Sequence, residues 1–228
     1  MNLRKYRALI LLILILPFMG YFEYWNYPYL VQAFPFPASQ YRNLIESLKA
    51  DGYRFILPRD YTGHEQGKVA IIRHDVDIKY NSVLIDVERS EGVRSAFYLR
   101  PDGDYFTQSI SFFEGLQAQG WEIGFHYDSL SRSSGNFTQA ITLFSAQLQY
   151  LRMFFNISTV TAHGDNYDAN FNDNYLLYAN LQNIILSLHV SDFSGLAGAT
   201  VVQDTDHIWS NPDTKGWLVL VAIHTDWW

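Results

Sequence analysis

Residues 69–77 read VAIIRHDVD, an apolar and β-branched run that ends in two aspartates two positions apart. Such a run, bounded by turn-forming residues, predicts a buried strand over Val69–His74. Side chains alternate along extended chain, so Asp75 and Asp77 point one way and His74 the other. Two carboxylates a few ångströms apart repel unless a cation or a proton lies between them. A divalent ion meets that need: one carboxylate binds it and the other stays available as a base.

Outward from this strand the pattern alternates. Helices are predicted over Ala38–Ala50, with Ser39 as N-cap, and over Tyr80–Glu91, Tyr105–Gln119, Phe137–Phe155 and Asn172–Gln182. Strands are predicted over Arg54–Leu57, Ser95–Leu99, Trp121–His126, Ile157–Ala162, Ile184–Val190 and Trp217–His224. Strands alternating with helices imply an α/β fold around a parallel sheet, either open or closed into a barrel. The stretch between Asp192 and Trp217 carries no assignment.

Ionisable residues gather at the carboxyl ends of these strands. Asp75 and Asp77 follow one; His126, His163 and His224 close three more; Asp192 follows another. In α/β folds that is where reactive groups collect. Two histidines from neighbouring strands with one carboxylate make a metal set that leaves positions open for water, a hydrolytic arrangement. His74 faces away and reads as a packing residue, as does His189. His64 and His207 fall in loop-like sequence.

Several segments together carry a resemblance. VAIIRHDVD (69–77), EGVRSAFYL (91–99), GWEIGFH (120–126), TAHGD (161–165) and the closing IHTDWW (223–228) resemble, in order, the motifs of NodB-type polysaccharide deacetylases in the variant with HDVD. The similarity runs from about residue 38 to the end. It implies a distorted (β/α) barrel of about seven parallel strands and a divalent metal, zinc above all. By position it implies Asp75 as general base, Asp77 and His126 as metal ligands, and His224 as the acid that protonates a leaving amine. Asp192 matches a position that would orient His224. Where the commoner pattern has a second metal histidine this chain has Leu130, and His163 becomes the candidate third ligand. The two aspartates are able to exchange roles. Trp227 and Trp228 are candidate platforms for a sugar ring.

The first thirty residues read separately. Arg4, Lys5 and Arg7 precede an apolar stretch from Ala8 to about Phe22, broken by Pro17 and Gly20 and followed by Tyr21, Tyr24, Trp25, Tyr27 and Tyr29. Basic residues, an apolar stretch and an aromatic belt predict an uncleaved signal-anchor over residues 1–27, with the rest of the chain on the non-cytoplasmic side, periplasmic or extracellular in a bacterium. Residues 28–40, with three prolines, read as a linker to a catalytic domain over 41–228. The chain has no cysteine, so any metal is held by His, Asp or Glu. A formal charge of −7 without a basic stripe argues against nucleic acid as partner. The expected function is removal of N-acetyl groups from amino sugars of an envelope or exported polysaccharide, or its precursor. The alternatives are O-acetyl ester hydrolysis and a non-catalytic carbohydrate-binding or assembly protein on a degenerate deacetylase scaffold.

Overall fold

In the structure, a computed structural model that describes residues 36–164, 174–178, 188–205, 208–209 and 216–228, the run around Val69 is the centre of the sheet. This strand, β2 (Val69–Val76), follows α1 (Ala38–Ala50) and β1 (Arg54–Ile56), and is buried over its whole length. After it come α2 (Ser82–Glu91), β3 (Ala96–Leu99), α3 (Phe106–Ala118), β4 (Glu122–Tyr127), α4 (Ser129–Arg132), α5 (Phe137–Leu151) and β5 (Thr159–Ala162). The remaining strands are β6 (Ser191–Asp192), β7 (Thr200–Thr205), β8 (Ile208–Trp209) and β9 (Leu218–His224). Across the sheet the order is β6-β5-β4-β3-β2-β9-β7-β8. Every pair is parallel except β7–β8. β9 lies along one edge of β2, and β1 and β3 share the other, against Val69–Ile71 and Arg73–Val76.

The sheet is strongly curled. Asp75 on β2 and Thr161 on β5 are three strand spacings apart, about 14 Å in a flat sheet. Their side-chain oxygens nevertheless lie 3.5 Å apart. Arg73 Nη1 donates across the trough to the carbonyl of Phe193, just past β6, at 2.6 Å. Among the described residues β6 does not pair with β7 or β8, so the expected barrel is here an open half-barrel.

Local chemistry sets the helix ends. α2 starts at Asn81, whose Oδ1 accepts from Val83 N at 2.9 Å, and stops at Gly92, whose φ of 67° is left-handed and suits glycine. α1 starts after Pro37, not at Ser39, and has no side-chain cap. α5 ends at Leu151, short of the expected Phe155, because Arg152 turns to bond the carbonyls of Ile157 and Leu188 and Phe155 packs on Phe106. Of the expected strand Ile184–Val190, residues 188–190 are not extended pairing partners, and the short β6 takes the place beside β5. The rest of that segment lies outside the described residues, as do most of the predicted helix Asn172–Gln182, of which 175–178 are helical, His207, and the anchor at 1–27. No helix among the described residues is long and apolar enough to cross a membrane. The elements above belong to one unit, Pro37–Asp226 with Trp228.

The period-2 alternation sorts β2 into two environments. Val76 joins Phe97, Leu99, Ile123, Phe125 and Tyr127 in the larger core on the convex face, under the helices. Val69 and Ile71 join Ala96, Tyr98, Leu218, Leu220 and Phe193 in a smaller core that fills the floor of the trough. Beyond that floor, strand register stacks the side chains in layers. Arg73 lies level with Ala96 and Ala222, and Asp75 level with Tyr98 and His224. His126 lies level with Thr161. The apolar floor thus gives way, toward the carboxyl ends, to a polar rim.

Candidate active site

Three side chains from three strand ends converge at that rim. Asp77 follows β2, His126 is in β4 and His163 follows β5; one ligand atom of each lies within 4.8 Å of the others. Asp77 Oδ1 is 3.4 Å from His126 Nε2 and 3.2 Å from His163 Nε2. Tetrahedral coordination with metal–ligand bonds of about 2.0–2.1 Å separates neighbouring ligand atoms by about 3.3 Å. Asp77 Oδ1 is also buried without a well-formed hydrogen bond. Both oxygen–nitrogen distances match that spacing, and with the oxygen unsatisfied the set fits a divalent ion.

The surroundings orient these ligands. His126 Nδ1 is 2.7 Å from Thr161 Oγ1, and the same hydroxyl lies 3.5 Å from Asp75 Oδ1. A chain in which His126 Nδ1–H donates to the hydroxyl and the hydroxyl donates to the carboxylate leaves the Nε2 lone pair facing Asp77. Asp75 is not part of the triad. It is 2% exposed and its Oδ2 is 3.2 Å from Arg73 Nη2. Leu130 is buried in the convex core, carried there by α4, and His163, one residue past β5, is the second histidine that faces Asp77.

His224 stands on β9 beside Asp75, in register with it. Its Nδ1 is 2.9 Å from Oδ1 of the fully buried Asp204. Burial alone would lower its pKa, but the bond to Asp204 and the charges of Asp75, Asp204 and Asp77 push it up to about 9. Asp204 also accepts from Trp228 Nε1 at 2.7 Å. Asp192, expected to orient His224, does not reach it. It lies on the edge strand β6, accepting from Tyr127 Oη at 2.8 Å and from Ser194 N at 2.6 Å. Trp228 is buried rather than displayed to a sugar. Asp226 is a further acid near the centre, pushed up to about 6 by burial first and then by the charge of Asp77. Sequence reading missed Asp204, Asp226 and Thr161. For Asp204 the signal was there in the form used elsewhere, a β-branched run (TVVQDT, 200–205) ending in an acid.

Beside His163 opens a cavity of about 360 Å³ whose lining includes Gly164, Tyr175 and Ser194. No family model matches the chain, and no curated protein matches it. Among solved structures it is similar to the catalytic domain of a peptidoglycan N-acetylglucosamine deacetylase from Eubacterium rectale ATCC 33656. That likeness has 13% identity and a TM-score of 0.49, and covers 74% of this chain and 82% of that one.

Proposed function

We propose that this chain is a metal-dependent hydrolase that removes N-acetyl groups from amino sugars of an envelope polysaccharide or its precursor. The observation that carries the reading is the convergence of Asp77, His126 and His163 beside a second carboxylate, Asp75, and a histidine, His224. Asp77, His126 and His163 would hold the ion. A divalent ion bound there supplies Lewis-acid polarisation of a carbonyl and a lowered pKa for water.

The chain's own groups divide the proton transfers. Asp75, steadied by Arg73 and Thr161, would take the proton of the attacking water. His224, held at Nδ1 by Asp204, whose bond favours its protonated form, would give a proton to the departing nitrogen. An amine leaves poorly unless protonated, whereas an ester's alcohol needs less help. A histidine placed beside Asp75 and backed by Asp204 supplies the acid that an amide needs more than an ester does. The sugar rests on the motif resemblance at 69–77, 120–126 and 161–165, and on the room beside His163 and Tyr175. The setting we propose, the outer side of a bacterial membrane, rests on the basic and apolar pattern of residues 1–27.

The test uses the zinc-loaded chain with N-acetylglucosamine oligomers, following acetate and free amine together. Equal release of both, lost on chelation, is expected. Acetate without amine from O-acetylated sugars would move the reading to an esterase, and no release from either would overturn it.

A further inference from the structure

Arg100, one residue past β3, brings a cation against a candidate metal ligand. Its Nη1 is 3.2 Å from His163 Nε2, the atom that also faces Asp77 Oδ1. The other end of the guanidinium is anchored. Nη2 donates to Asp128 Oδ2 at 2.5 Å and lies 3.7 Å from Asp102 Oδ2. Arg132 binds both of those aspartates, so the anchor is a four-member ionic cluster with Asp128 nearly fully buried.

A guanidinium has donors and no acceptor. Its approach to an imidazole nitrogen is favourable only where that nitrogen presents its lone pair. That lone pair is the one a metal would use. One electron pair cannot serve both, and a second positive charge so close to a divalent ion is repelled by it.

We propose that Arg100 guards the His163 ligand atom: its contact with Nε2 and metal occupancy exclude one another. Arg100 thereby sets the metal affinity of the centre below what Asp77, His126 and His163 alone would give. The inference rests on the reading that these three residues hold a metal. The anchor on Asp128 lets Nη1 swing off His163 without the side chain leaving its cluster, so displacement by metal is local and reversible.

The experiment is zinc titration of the 228-residue chain against a competing chelator, with cobalt absorbance as a second readout, for wild type, Arg100→Met and Arg100→Gln. Arg100→Gln keeps an amide donor for Asp128 if the methionine variant folds poorly. Removing the competing contact is expected to tighten binding by about tenfold or more. Mere structural damage would weaken it. Unchanged or weaker affinity in a folded variant, with wild type binding zinc, overturns the guard and leaves the metal reading standing. Binding by the variants where wild type binds none supports the guard. No binding by any of the three overturns both.

Discussion

The two faces of β2 carry two polar clusters built on opposite rules. On the convex face His74 meets Glu88, which is fully buried and whose two oxygens are both hydrogen-bonded, while His74 Nδ1 has no partner among the described residues. Glu88 Oε1 takes Tyr41 Oη at 2.6 Å and lies 2.6 Å from His74 Nε2. Its Oε2 takes Ser95 Oγ at 2.8 Å and Trp121 Nε1 at 2.6 Å. On the trough face, one residue along, Asp75 and Asp77 lie among histidines with Asp77 Oδ1 unsatisfied. The first cluster gathers four donors on one carboxylate and ties α1 and α2 to β2 and to the residues just before β3 and β4. The second leaves a carboxylate oxygen unpaired beside two histidines. A carboxylate whose oxygens are both bonded stabilises the fold, and one left with an unpaired oxygen among histidines calls for an explanation, which a bound cation would supply.

Five measurements press on that contrast. The largest effect is expected for Asp77→Asn: loss of zinc binding by dialysis and a fall in acetate release on the order of 10⁴-fold, about 5.4 kcal/mol, with the thermal midpoint of the chelated protein unchanged or higher. A large drop in that midpoint would show that the trough-face cluster also holds the fold. Next comes Glu88→Ala, which strands four donor groups and should cost about 3–5 kcal/mol in urea unfolding, while the folded fraction binds zinc normally.

Third is Asp204→Asn. Because His224 is raised from 6.5 to about 9, its pairing stabilises the chelated protein fully below pH 6.5. That contribution is lost as pH rises through 9. The variant should lose this pH dependence, and the alkaline limb of kcat/KM should move down toward 6.5. An unmoved limb would remove His224 from the proton-donor role. The smallest is Ser95→Ala, which takes one donor from Glu88 and should cost about 1 kcal/mol. Glu88 adds an acid signature of its own. Burial alone would raise it, but the charge of His74 and the bonds from His74, Tyr41 and Trp121 bring it below its ordinary value. Its contribution is therefore present above about pH 4.5 and lost as pH falls below that. Glu88→Gln should flatten that slope in an acid titration.

What could be read from the chain was what is local. The alternation that separates His74 from Asp75 and Asp77 is a property of consecutive residues, and the structure keeps it. His126 and His163 were visible as polar residues closing apolar runs. Asp192 met the same test, yet whether a strand end faces the centre depends on strand order. β6 lies at the edge of the sheet, whereas β7 lies beside β9, with Gln203 opposite Ala222. That order brings Asp204, not Asp192, to His224. No local pattern specifies it. Arg100 also closes a strand run, but a search confined to acids and histidines passes over an arginine. Barrel closure was beyond reach for the same reason as Asp204, since it depends on how the edge strands meet.

Gly124 has a further consequence. A methyl group at this position would sit 2.4 Å from the ring of Tyr98, which lies across β4 on the trough face. Position 124 is not free to drift alone: a larger residue there needs a slimmer one at 98 and a small shift of the Thr159 carbonyl, 3.0 Å from the added methyl. Among chains that inherit this trough the two sites should therefore vary as a pair, and a library randomising both should recover variants that single substitutions at 124 never yield.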